Sequence, residues 1–77
     1  MHWILACAIE LNGGRRRAAL VHLSEVLGVS IGTVRCWVRG ERAVPSDSEV
    51  AIRCLVEVQR LRLVLRRLRE VLDEHQA

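Results

Sequence analysis

Apolar residues recur along most of this chain at spacings of three and four, the period of helices that bury one face. Residues 2–11 hold a dense apolar run, Trp3 to Ile9, and Asn12-Gly13-Gly14 closes it, because glycine takes the left-handed conformation that ends a helix. A second helix is predicted from Arg15 to Leu27, with Ala19, Leu20, Leu23, Val26 and Leu27 on its apolar stripe and Gly28 as its stop. Ser30 is a good N-cap for a third helix, Ile31 to Arg39, closed by Gly40. After a short loop, Glu41 to Pro45, Ser46 opens a fourth helical pattern. Glu49 stands three residues on, the spacing of a capping box. No Gly or Pro follows Pro45, so this pattern runs to the neighbourhood of His75, as one helix or as two with a bend.

The chain of 77 residues is long enough for one domain with one core. A chain this short buries only about 60% of its unfolded surface, so its helices must pack efficiently or a partner must cover them. Trp3 and Trp37 are the only aromatic residues, which leaves Leu, Val, Ile and Ala to build the core and favours helices over a sheet sandwich. The expectation is an all-α protein. Residues 1–45 form a headpiece, and residues 46–77 form a C-terminal helix that packs on it and then serves dimerisation.

All twelve basic residues are Arg, and the net charge is +3. The sign is uneven. Residues 1–42 carry six Arg against Glu10, Glu25 and Glu41, whereas residues 43–77 carry six Arg against six acids. The positive excess sits entirely in the first part, which suits a polyanion facing that part. Cys7, Cys36 and Cys54 are widely spaced, with no C-x-x-C pair and no His at ligand spacing. They read as reduced thiols of a cytoplasmic protein, with no metal and no cofactor. The run Trp3 to Ile9 is too short to span a bilayer and lacks the basic region of a signal peptide. No nucleophile–base pair, paired carboxylates or phosphate-binding glycine loop points to an enzyme.

The segment from Leu23 to Pro45 carries the most information. Gly28 allows a tight turn between two helices, and Ser24, four residues before it, is small enough for a helix to cross close by. Leu23, Leu27, Val29, Val34 and Trp37 are spaced to face one another across that crossing. The stretch GVSIGTVRCWVRGER is similar to the pattern G-V-S-x-x-T-V-x-x-W-x-x-G-E of Cro-like and lambda-repressor-like regulators. Size and motif together resemble autoregulators of phages and mobile elements, anti-CRISPR-associated repressors among them. Departures from the family are the Arg15-Arg16-Arg17 lead into helix 2 and the long C-terminal helix.

The resemblance implies a helix-turn-helix whose third helix enters the major groove of double-stranded DNA. With Val34, Trp37 and Val38 turned inward or to the boundary, Ile31, Gly32, Thr33, Arg35, Cys36 and Arg39 form its outer face. No acid lies between Glu25 and Glu41. Arg35 is the candidate for bidentate recognition of guanine. Ile31 and Thr33 suit a thymine methyl or a phosphate, and Ser30 both a cap and a phosphate. Gly32 costs about 1 kcal/mol of helix stability relative to Ala, which fits close approach to DNA or simple tolerance in a first turn. Cys36 reads as a small side chain at the interface, and Arg39 and Arg42 as phosphate contacts. Arg15, Arg16 and Arg17 are expected at the first turn of helix 2, where phosphate would offset charge against the helix dipole.

The tail carries a second signal. Ala51, Cys54, Val58, Leu61, Leu65, Leu68 and Leu72 repeat at alternating spacings of three and four, a heptad seam. Val50 to Val58 is expected to pack on the headpiece, and Leu61, Leu65, Leu68 and Leu72 to dimerise. The flanking Arg62, Arg66, Arg67 and Arg69, followed by Glu70, Asp73 and Glu74, suit interhelical ion pairs, an antiparallel arrangement among them. A membrane-surface helix and intrachain packing are the rivals. The function expected is a sequence-specific, homodimeric transcriptional repressor of its own promoter, bound to an inverted-repeat operator. A recruitment or architectural factor of excisionase-like or terminase-like kind is one alternative, and a helical protein-interaction module is another.

Overall fold

The computed structural model describes residues 2–76; Met1 and Ala77, the outer ends of the two expected segments, lie outside them. Four helices follow one another among the described residues: α1 (Trp3–Leu11), α2 (Ala19–Leu27), α3 (Ile31–Val38) and α4 (Ser46–Gln76). The fourth pattern is therefore one unbroken helix of 31 residues.

Capping bonds open α1 and close both α1 and α2. The His2 imidazole Nδ1 accepts from the Ile4 amide at 3.2 Å and opens α1. At the far end, Gly14 N–H donates to Ile9 O at 2.9 Å and Gly13 N–H to Glu10 O at 3.2 Å, the two bonds of a glycine-terminated helix end. The same closure ends α2, where Val29 N–H reaches Ser24 O at 3.1 Å with Gly28 at φ 70°. Without a Cβ, Gly28 adopts this left-handed conformation at no steric cost. The chain turns through 117° between α2 and α3 across only Gly28, Val29 and Ser30.

α2 begins at Ala19, four residues later than its periodicity predicts. The local cause is Asn12. Its side-chain amide donates to Arg15 O at 3.1 Å and to Arg17 O at 2.9 Å, offering those carbonyls a partner outside any helix. Ala18 then takes a left-handed φ of 59°, which separates the arginine run from the helix. Arg15, Arg16 and Arg17 therefore lie in a pinned loop before α2, and the expected placement in its first turn is corrected.

One buried cluster joins the headpiece: Ile4 and Ala8 of α1, Ala19 and Leu23 of α2, Val34 and Trp37 of α3, and Ile52 of α4. Leu20, Leu27, Val29 and Val38 pack against it, while Val26, on the predicted stripe, is exposed. Ser24 is buried, and its hydroxyl donates to Val21 O at 2.7 Å. That bond satisfies its polar group inside the crossing.

α4 meets the headpiece through α1, and on a different face from the one expected. Ile52 and Val56 are its buried residues, whereas Val50, Cys54 and Val58 are exposed. Both stripes are apolar at helical spacing, and only the three-dimensional packing selects between them. Glu49 also departs from the capping-box reading: its carboxylate accepts from Arg53 at 3.0 and 3.2 Å, and its amide donates to Pro45 O. Arg53 in turn sits over the Trp3 ring, 4.7 Å from its centroid. Two turns on, Arg60 donates to both carboxylate oxygens of Glu10 at 2.7 and 2.9 Å. These bonds hold the Glu10 carboxyl below the usual carboxylate range and raise the Arg60 guanidinium.

Beyond that bridge α4 runs on alone. Every residue from Arg60 to Gln76 is exposed, and the molecule extends 53 × 25 × 22 Å. Its surface of 5873 Å² exceeds by about 1,100 Å² the roughly 4,700 Å² expected of a compact monomer of 8.7 kDa. Among the described residues no single helix is long and apolar enough to cross a membrane; α2 and α3 together reach the length but turn sharply between them.

Two outcomes follow from this packing. Trp37→Ala removes the largest side chain of the core and lowers unfolding stability by about 3–5 kcal/mol, read by urea titration. The Glu10–Arg60 bridge requires an ionised carboxyl, so its contribution is complete above about pH 4.3 and is lost as pH falls through the lowered folded-state value. Glu10→Gln should lower Tm modestly at pH 7, and the difference from wild type should shrink as pH is taken progressively below about 4.3; an effect equal at all pH values contradicts the ionic role.

Candidate nucleic-acid interface

Val34 and Trp37 fix the rotation of α3 by turning into the core, and the opposite side of the helix faces outward. Gly32, Arg35 and Arg39 are exposed, and Ile31, Thr33 and Cys36 are half-buried along the same edge. Ser30 opens the helix: its Oγ accepts from the Thr33 amide at 3.2 Å and shares a 2.8 Å hydrogen bond with the Thr33 hydroxyl. Two hydroxyls are thereby fixed at the α3 N-terminus, where free amides and the helix dipole favour an anion.

The arginine loop lies on the same side of the molecule. Arg16, Ala18, Leu20 and Val21 surround one shallow depression together with Ile31 and Arg35 of α3. A second apolar depression, lined by Leu20 and Val38, lies between Arg35 and Arg39. Arg35 thus stands at the centre of the exposed face, with apolar shelves on either side. Leu20 reads in the sequence as a core position; it is half-buried, packed against the core on one side and lining both depressions on the other.

The charges on this face differ in how free they are. Arg15 and Arg17 are exposed, with their carbonyls held by Asn12. Arg39 Nε lies 3.4 Å from Glu41 Oε1 and 3.4 Å from the Arg35 carbonyl, so its guanidinium has competing partners. Both Arg39 and Glu41 are more than half exposed, and a pair of that kind contributes little and yields to a stronger anion. Arg42 is exposed in the loop after α3. All eleven residues singled out in the sequence are thus at least partly accessible.

Gly32 occupies open space. A Cβ built there meets only Ser30 Oγ, at 3.9 Å, an ordinary contact. Its backbone φ is not left-handed, so nothing within the chain demands glycine. Comparison of the chain with protein-family models, with curated proteins and with solved structures finds no match.

Gly32→Ala should therefore raise the stability of the free protein, by up to about 1 kcal/mol. A urea titration that finds the variant less stable contradicts the open environment of this site.

Proposed function

We propose that this protein is a sequence-specific double-stranded DNA-binding regulator whose α2 and α3 form a helix-turn-helix. The observation that carries the reading is the geometry of that pair. A three-residue turn containing Gly28 and a 117° change of direction agree with the 90–120° crossing of the motif, and the α3 face left outside holds Arg35 and no acid. In this reading α3 lies in the major groove, with Arg35 bidentate to guanine O6 and N7 and Ile31 and Thr33 against neighbouring bases. Ser30, Arg39, Arg42 and the Arg15–Arg17 loop take phosphates, which sets register and adds salt-dependent affinity.

One headpiece offers few contacts, so the regulator acts as a homodimer joined through Leu61, Leu65, Leu68 and Leu72. These four side chains are 54–64% exposed, with no cover from their own chain. Two heads then engage half-sites about 34 Å apart, and the second binds at high effective concentration. Two bound heads would cover the duplex between and around the half-sites, so occlusion of a promoter is the mechanism in this reading.

Selection from a random duplex library, followed by gel shift of the enriched site, tests the reading. Arg35→Ala should weaken the enriched site by about 1–3 kcal/mol and reduce discrimination at one base pair, while non-specific duplex binding changes little. Gly32→Ala should weaken the same site despite the added stability of the free protein. Failure to enrich any sequence, or an unchanged affinity for Arg35→Ala with the helical content intact, overturns the proposal.

A further inference from the structure

α4 carries two apolar stripes on opposite sides. At about 100° per residue, Ile52 and Val56 share one side, and Cys54, Val58, Leu61, Leu65, Leu68 and Leu72 share the other. The exposures agree, since the first pair is buried against the headpiece and the seam is open along its whole length. The headpiece therefore cannot cover the seam, and it does not obstruct a second helix laid along it from Cys54 onward. The surface excess of about 1,100 Å² is of the order one partner contributes to a stable interface, about 800 Å².

We infer that the seam pairs with the same seam of a second copy, in parallel and in register, with the two headpieces at one end on the outer flanks. The inference rests on the homodimer reading and adds its orientation. The charges at the seam margins decide that orientation. With Val58, Leu65 and Leu72 at heptad position a and Leu61 and Leu68 at d, Glu57 falls at g, and Arg62 and Arg69 fall at e. In a parallel pair g faces e of the next heptad, so Glu57 of each copy meets Arg62 of the other, twice per dimer.

An antiparallel pair sets e against e. In the two registers that keep the leucines paired, Arg62 meets a second Arg62 or an Arg69, two like charges in close approach. Among the described residues, Glu57, Arg62 and Arg69 have no ion-pair partner within their own chain. Glu57, Leu61 and Val64 also line an open groove beside α1, together with Arg53 and Arg60, whose guanidinium groups are bonded to Glu49 and Glu10 of their own chain; Leu61 and Val64 offer the stem of a partner arginine an apolar contact next to the Glu57 carboxylate.

Charge reversal at full length tests the arrangement. By sedimentation equilibrium, Glu57→Arg alone and Arg62→Glu alone should each weaken the dimer by about three- to tenfold. An equimolar mixture of the two variants should recover the wild-type affinity, because every g–e contact in the mixed dimer is then opposite in sign. A version retaining Cys54 as its one thiol (Cys7→Ala, Cys36→Ala) should form a Cys54–Cys54 disulfide under mild oxidation, since Cys54 occupies a d layer facing its own copy. A dimer that shows neither recovery on mixing nor the disulfide overturns the parallel orientation and leaves the dimer itself standing. A wild-type monomer at tens of micromolar overturns both.

Discussion

The close crossing of α2 and α3 is the constraint on which the rest of the molecule depends. Leu23, Val34 and Trp37 come together with Ile4 of α1 only because Gly28 lets the chain reverse through three residues and because Ser24 leaves room at the turn. Once Val34 and Trp37 are inside, the rotation of α3 has no freedom left. Gly32 and Arg35 are outward as a consequence, and so is the hydroxyl pair at Ser30 and Thr33. The candidate interface is thus a by-product of core packing, and it is rigid for the same reason that the core is close-packed.

α4 follows the same logic. One of its stripes is used by the headpiece, with Ile52 and Val56 buried and the Glu10–Arg60 bridge fixing the angle at which the helix leaves. The opposite stripe is left outside along its entire length. A single helix that is amphipathic on both sides at its base and on one side beyond it is suited to holding a head with one face and a partner with the other. In the proposed homodimer, separate faces would let dimer strength change without disturbing the fold of the head.

Much of this was legible in the sequence. The order of the first three helices, the turn at Gly28, the inward Val34 and Trp37 and the outward Arg35 all follow from short-range chemistry, whereas periodicity left the fourth pattern open as one helix or two. Glycine positions, a serine cap and three-four spacing report local backbone and little else. The misreadings share a cause. The start of α2 is decided by Asn12 bonding to carbonyls up to five residues away and by a left-handed Ala18, neither of which alters hydrophobic periodicity. The packing face of α4 was misassigned because a heptad seam and a core stripe have the same spacing, and only the position of α1 separates them. Glu49 fits a capping box by spacing but is drawn to Arg53, one helical turn on. Longer-range choices between locally equivalent options are where pattern reading ran out.

The central claim is that the exposed face of α3, with the arginine loop beside it, meets duplex DNA. Titrating isotopically labelled full-length protein with a duplex enriched by selection, and following backbone amide resonances by NMR, addresses it directly. The account predicts saturable shifts concentrated at Ser30 to Cys36 and at Arg15 to Arg17, with the amides of Leu61 to Leu72 little changed. Shifts confined to α4, or none that saturate, would contradict it.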